Sequence, residues 1–188
     1  VGPVFDLPAV GWDESNPEVA YDVSNDVYLV VWERAFSVLD YDVRGMRISA
    51  SGEQVGSLVG IASDSDLEFS PVVANVNLTD QFVVAWRSGS VFPPFTLEYR
   101  GFDAATDQQS PKHSLASDVD SVDACSESSL LDDDCLLVYE DGTNIWATRI
   151  EAPGPGEVEP GSSYYLTGDP ANTAPRISAG GGAGPHLV

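Results

Sequence analysis

Short runs of β-branched and aromatic residues recur along this chain, separated by clusters of Asn, Asp, Ser and Gly. Val27-Tyr-Leu-Val-Val-Trp32 and Phe82-Val-Val-Ala-Trp86 are the clearest. Runs of this length, apolar at successive positions and closed off by turn formers, predict strands covered on both faces. No window of about eleven residues or more carries a helical period. The pattern predicts an all-β fold.

The runs also repeat as a set. Asn16-Pro17-Glu-Val-Ala-Tyr precedes the first run and Ser70-Pro71-Val-Val-Ala-Asn precedes the second, at equal distances. A third copy runs from Ser121-Val122-Asp-Ala-Cys to Leu136-Leu137-Val138-Tyr139, and a fourth begins at Ala174-Pro175-Arg-Ile-Ser-Ala. Trp32 to Trp86 is 54 residues and Trp86 to Tyr139 is 53. A period near 50 with several short strands per unit predicts a repeat architecture such as a propeller, because one unit cannot bury its apolar faces alone.

Each unit reads as four strands. The first gives Glu18 to Val23, Val27 to Glu33, Asp42 to Ser49 and Gln54 to Ile61. The second gives Val72 to Val76, Gln81 to Arg87, Thr96 to Asp103 and Lys112 to Ala116, and the third Val122 to Ser126, Cys135 to Glu140, Asn144 to Glu151 and Ser163 to Thr167. The third strand has its own echo, Arg44-Gly45-Met46-Arg47-Ile48 against Arg100-Gly101-Phe102 and Trp146-Ala147-Thr148-Arg149-Ile150. A small residue at its second position would let a neighbouring blade approach closely. The expectation is a β-propeller over residues 1–188, with repeats at about 16–69, 70–120 and 121–173 and a partial one at 174–188. Residues 1–10 match a fourth strand without its own unit, and His186-Leu187-Val188 match Tyr28-Leu29-Val30. Both are expected to be open edges, completed by further residues of a larger ring, by a second chain, or by the next copy in a head-to-tail filament.

Charge narrows the possible partners. Thirty acidic residues against eight basic ones give a net charge of -22. Nucleic acid and anionic membrane surfaces are therefore unfavourable partners, and no run is long enough for a membrane-spanning helix. Such acidity suits high salt or divalent cations, which screen self-repulsion, and a marine or halophilic setting. Cys125 and Cys135 flank a loop in the third unit and are expected to face each other across a hairpin as a disulfide, the other reading being two buried thiols. A disulfide and the Asn77-Leu78-Thr79 sequon would fit an extracellular or cell-surface location.

The motif Pro, Val-Ala, Tyr-Leu-Val-Val-Trp, then Arg-Gly-x-Arg-Ile and Ser-Gly-Glu resembles repeats of large secreted bacterial proteins of propeller type. That resemblance implies a β-propeller used as an extracellular binding or structural module, and supplies no catalytic residues. The Ser-x-Asp-x-Gly-x-Thr-Trp box of sialidase-like propellers is absent, as are the Gly-His and Trp-Asp pairs of WD40 blades.

Candidate chemistry is acidic. Each connection into a new unit carries carboxylates: Asp13 and Glu14; Asp64, Asp66 and Glu68; Asp118, Asp120 and Asp123; and Asp169. On one face of a propeller these would form an acidic ring, with Asp64, Asp66, Glu68, Asp118 and Asp120 as candidate calcium ligands; solvated turns are the competing reading. Asp132-Asp133-Asp134 is expected to be a solvated hairpin tip. Glu18, Asp22 and Asp123 would line the axis with Arg176 as an anion contact, where a glycosidase would need paired carboxylates; solvated strand ends are the competing reading, since the positions do not recur as a motif. Trp12, in a loop, is a candidate sugar or partner contact, whereas Trp32 and Trp86 are expected to be core. His113 and His186 lack the partners of a triad or zinc site. The expected function is a non-catalytic adhesion, assembly or ligand-binding module for a protein or glycan partner. A carbohydrate-active enzyme domain and a filament subunit are the alternatives.

Overall fold

A computed structural model describes residues 13–126, 132–168, 173–180 and 184–187. Within it the chain is all-β. The first unit comprises β1 (Asp13–Asp22), β2 (Val27–Ser37), β3 (Asp40–Ser49) and β4 (Gln54–Ala62), and the second β5 (Leu67–Val76), β6 (Gln81–Gly89), β7 (Thr96–Asp103) and β8 (His113–Ser117). The third comprises β9 (Val119–Ser126), β10 (Asp134–Asp141), β11 (Asn144–Gly154) and β12 (Glu157–Thr167), followed by the pair β13 (Ile177–Gly180) and β14 (Gly184–Leu187). Within each unit neighbouring strands pair antiparallel in chain order. A single parallel pair, Tyr41 with Leu67, joins the first sheet to the second. The first strands β1, β5, β9 and β13 lie against one another in sequence. Among the described residues the sheets do not close into a ring.

Strand alternation explains how the sheets stack. Successive side chains of a strand point to opposite faces. Leu29 and Val31 of β2 therefore face the second sheet, where they meet Phe82, Val84 and Trp86 of β6 in one apolar cluster. The intervening Val83 and Ala85 face the other way and join Cys135, Leu137 and Tyr139 of β10. Strands buried on both faces need apolar residues at every position, and this is the reason for the unbroken run Phe82 to Trp86 in β6. Trp32 and Trp86 are both buried, as expected.

Gly101 shows the close approach predicted for the third strand. A Cβ placed there would lie 2.7 Å from Cγ1 of Val158 in the third sheet. Gly101→Val should destabilise the chain by about 1 to 3 kcal/mol, the usual cost of overpacking. Denaturant unfolding measures this, and Val158→Ala in the same chain should recover part of the loss.

The expected disulfide does not form: Cys125 and Cys135 are both buried but not joined. Cys135 pairs with Ser126, and Cys125 pairs with Leu136. The one-residue offset puts the two thiols on opposite faces of the hairpin, Cys135 toward the second sheet and Cys125 toward Ile177. Of the neighbouring aspartates, Asp133 is exposed as expected of a hairpin tip, while Asp134 departs from expectation. Asp134 is buried and ion-paired with Arg149, and the Asp133 carbonyl accepts the Ala152 N–H at 2.7 Å.

Candidate functional site

The first strand of each sheet begins with a register break. Two residues, Asn16-Pro17 in β1 and Ser70-Pro71 in β5, stand out of the pairing between Ser15 and Glu18 and between Phe69 and Val72. Proline has no N–H to give to a ladder, so a bulge is where a strand can tolerate it. Asn16, Ser70 and Ala174, each immediately before its proline, have φ of 49°, 52° and 52°. Left-handed backbone is uncommon for residues other than glycine. Its recurrence at one repeat position marks a built feature. In the third sheet, which has no proline here, a simpler break falls opposite Glu140 and Asp141.

These four segments converge. Residues 16–18, 70–72, 120–122 and 174–176, with Arg87, wall one open cavity of about 350 Å³. It lies where the four first strands begin.

A charged side chain after each aromatic of the second strands holds these segments in place. Glu33 is buried and accepts from Ser15 Oγ at 3.0 Å, from Asn16 Nδ2 at 2.8 Å and from the backbone N–H of Ser70 in the next unit. Arg87 donates to Ser70 Oγ at 3.0 Å and, across the junction, to the Asp120 carbonyl at 2.5 Å. Glu140 accepts from Ser121 Oγ at 3.2 Å and from the Ala174 N–H at 3.0 Å. Each ties its own bulge to the next one. Sequence reasoning missed this set, although its signal was present: Trp32-Glu33, Trp86-Arg87 and Tyr139-Glu140 place a charge at one register position in every unit.

Glu18 and Arg176 are the expected axial residues that line the cavity. Partial burial and the nearby Asp123 carboxylate push the Glu18 carboxyl above its ordinary range, with Arg176 opposing. Asp123 itself accepts the Ile177 N–H through Oδ2 at 2.9 Å. Asp22 lies at the far end of β1, fully buried, with Oδ2 accepting from Asn75 Nδ2 at 3.0 Å. It is not part of the cavity.

The candidate calcium ligands are placed apart. Asp64 accepts from Lys112 Nζ at 2.5 Å, and its N–H donates to Glu68 Oε1 at 3.0 Å. Lys112 also reaches Glu98 Oε2 at 3.0 Å. Glu68 is fully buried and Asp66 exposed. Asp118 and Asp120 belong to the next junction, where Asp118 receives the Gly142 N–H and Asp120 borders the cavity. Among the described residues no group of three His, Cys, Asp or Glu side chains is gathered to hold a metal ion. Two of these junction acids answer bases instead, Glu14 pairing with Arg34 at 2.5 Å and Asp64 with Lys112. Trp12, Asp169 and residues 1–10 lie outside the described residues, as does the His186 side chain. His113 stacks on Tyr99, with ring centroids 5.4 Å apart.

Neither a family model nor a curated protein matches the sequence. Among solved structures the chain is similar to the Hadza microbial sialidase Hz136, with a TM-score of 0.60 at 11% identity over 87% of this chain. The chain spans 39% of that protein's length. At this identity the likeness is one of fold, with a sialidase-like β-propeller as the neighbour. It arises even though this sequence lacks the sialidase-type Asp box.

Proposed function

We propose that the four-stranded sheets are blades of a β-propeller and that the chain is a ligand-binding module whose site is the cavity at the start of the inner strands. One observation carries this reading: the same repeat position from four units converges on a single opening, and dedicated side chains hold those segments in left-handed or bulged backbone. Strain at a solvent-open position persists only where its surroundings fix it, and such positions gather at binding sites. Glu18 and Arg176 offer one anionic and one cationic contact there. An extracellular setting is in keeping with the acidity of the chain.

Ligand-observed NMR against a panel of neutral sugars, acidic sugars and amino acids tests the site. Arg176→Ala and Glu18→Gln should each weaken the response of any member that binds. A silent panel, or binding unchanged in both variants, would overturn the reading.

A second reading, a carbohydrate-active enzyme domain, is favoured by one detail. Partial desolvation and Asp123 shift the Glu18 carboxyl upward from its ordinary value, the direction a general acid requires. In that case glycan hydrolysis should fall steeply as pH rises past the Glu18 pKa, and Glu18→Gln should abolish it. No turnover across a broad glycan panel would leave the binding module alone.

A further inference from the structure

The two most exposed large apolar side chains among the described residues, Val38 and Phe92, lie in connections at this end of the sheets. Val38 is 81% exposed and Leu39 56%, both in the β2–β3 turn; Val91 at 46% and Phe92 at 75% belong to the β6–β7 connection. The two connections meet across a groove of about 420 Å³ walled by Val38, Tyr41, Phe69, Val91 and Phe95. Asn16, Ser70 and Arg87 line both this groove and the cavity, so the two are continuous.

Turn geometry does not require these residues. The corresponding β10–β11 turn of the third unit is made by Gly142 and Thr143, the ordinary polar chemistry of a tight hairpin. Apolar side chains held out in water at two adjoining tips are costly unless something covers them.

Charge selects the occupant. Arg87, a base lining the groove, stacks over Phe69 with its guanidinium carbon 4.4 Å from the ring centroid, and its Nη1 and Nη2 donate to the Asp120 carbonyl and Ser70 Oγ. Arg34 is taken by Glu14. Asp40 pairs with Ser37 beside the β2–β3 turn, Asp13 pairs with Ala35 near the end of β2, and Asp120 borders the adjoining cavity, in a chain of net charge -22. A second copy would bring the same negative charge, and a nucleic acid or anionic bilayer likewise. We infer that the rim formed by the β2–β3 and β6–β7 connections docks a partner polypeptide segment that alternates apolar and basic side chains. The apolar side chains enter the groove and the basic ones meet the surrounding carboxylates. This deepens the reading of that end of the molecule as its binding end, but depends on different residues.

The test compares the unmodified chain with a Val38→Ser/Phe92→Ser double variant, which keeps every charge. The probes are a fluorescent heptapeptide alternating Lys with Leu or Phe, its Lys-Ser counterpart, its Glu-Leu counterpart, and phosphatidylcholine vesicles. The unmodified chain should bind the apolar cationic peptide about tenfold tighter than the Lys-Ser peptide, the gain from one buried apolar anchor. The double variant should lose that preference while its Lys-Ser binding and unfolding midpoint stay the same. Equal binding of the two cationic peptides, undiminished binding by the variant, or preference for the Glu-Leu peptide would each overturn the proposal. So would vesicle binding, or self-association that the double variant abolishes. Arg176→Ala and Glu18→Gln leave the rim intact, so failure at the cavity and failure at the rim are read separately.

Discussion

Glu33→Ala is expected to lower the unfolding free energy by about 2 to 4 kcal/mol. The carboxylate accepts three hydrogen bonds, but their loss is unequal. Ser15 and Asn16 are exposed and can turn their side chains to water. The Ser70 N–H belongs to the next unit and is half-buried at the junction, so removing its charged acceptor costs more there than at the two exposed donors. A hydrogen bond to an ionised group contributes about 1.5 to 3 kcal/mol, and the lost packing of the side chain adds to this. Glu33→Gln keeps one acceptor oxygen and should recover about half. Chemical denaturation with the three proteins side by side makes the measurement, and a loss in Glu33→Ala of under about 0.5 kcal/mol, typical of an ordinary surface change, would show that the junction does not depend on this contact.

The second large effect is a dependence of stability on pH that runs against the usual acid denaturation. Glu68 is fully buried where the first and second units meet, and burial raises its carboxyl from 4.5 to about 7, with Asp64 and Asp42 adding to the rise. The Asp64 N–H and Lys112 work in the opposite direction. A carboxyl that holds its proton more tightly when folded contributes stability below its unfolded pKa, and that contribution fades as pH climbs through the folded one. Between about pH 4.5 and 7.5 the wild-type chain should therefore lose roughly 3 kcal/mol from this group. Glu68→Gln keeps an oxygen for the Asp64 N–H and cannot ionise. Its unfolding free energy should exceed that of wild type at pH 8 and nearly match it at pH 5. Parallel pH profiles for the two chains would remove Glu68 as the cause.

The architecture was legible in the sequence because Phe82 to Trp86 is buried on both faces and Val27 to Trp32 on one face and part of the other, so both announce themselves as unbroken apolar runs. Boundaries were less so. The first strands of the units begin at Asp13, Leu67 and Val119, ahead of the residues expected to start them, because a bulge carries the pairing past Pro17 and Pro71. Strand β12 begins at Glu157 rather than Ser163, its first half being too polar to stand out. The cysteine pairing failed for a reason periodicity cannot show, a register offset of one residue that reverses the side-chain direction. At the site, Glu18 and Arg176 were in view from their place at the head of an inner strand. Glu33, Arg87 and Glu140 were not, because a charge ending a strand looks like an ordinary solvated residue until the next unit is laid beside it. The acidic connections misled in the opposite sense: Glu14, Asp64 and Glu68 read as a ring of similar groups, yet the first two are matched to particular bases and the third is buried.

The tie between units also carries a polarity. From the first unit to the second, and from the third to the fourth, a carboxylate takes a backbone N–H; from the second to the third, a guanidinium gives to a backbone carbonyl. Donor and acceptor must match at each seam, so the units are not interchangeable parts. A chain with the second and third repeats exchanged would set Glu33 against the Asp120 carbonyl and Arg87 against the Ala174 N–H, and both of those seams would repel. The single letter after each aromatic thus works as an address, fixing which repeat may follow which in chains whose folds are otherwise alike.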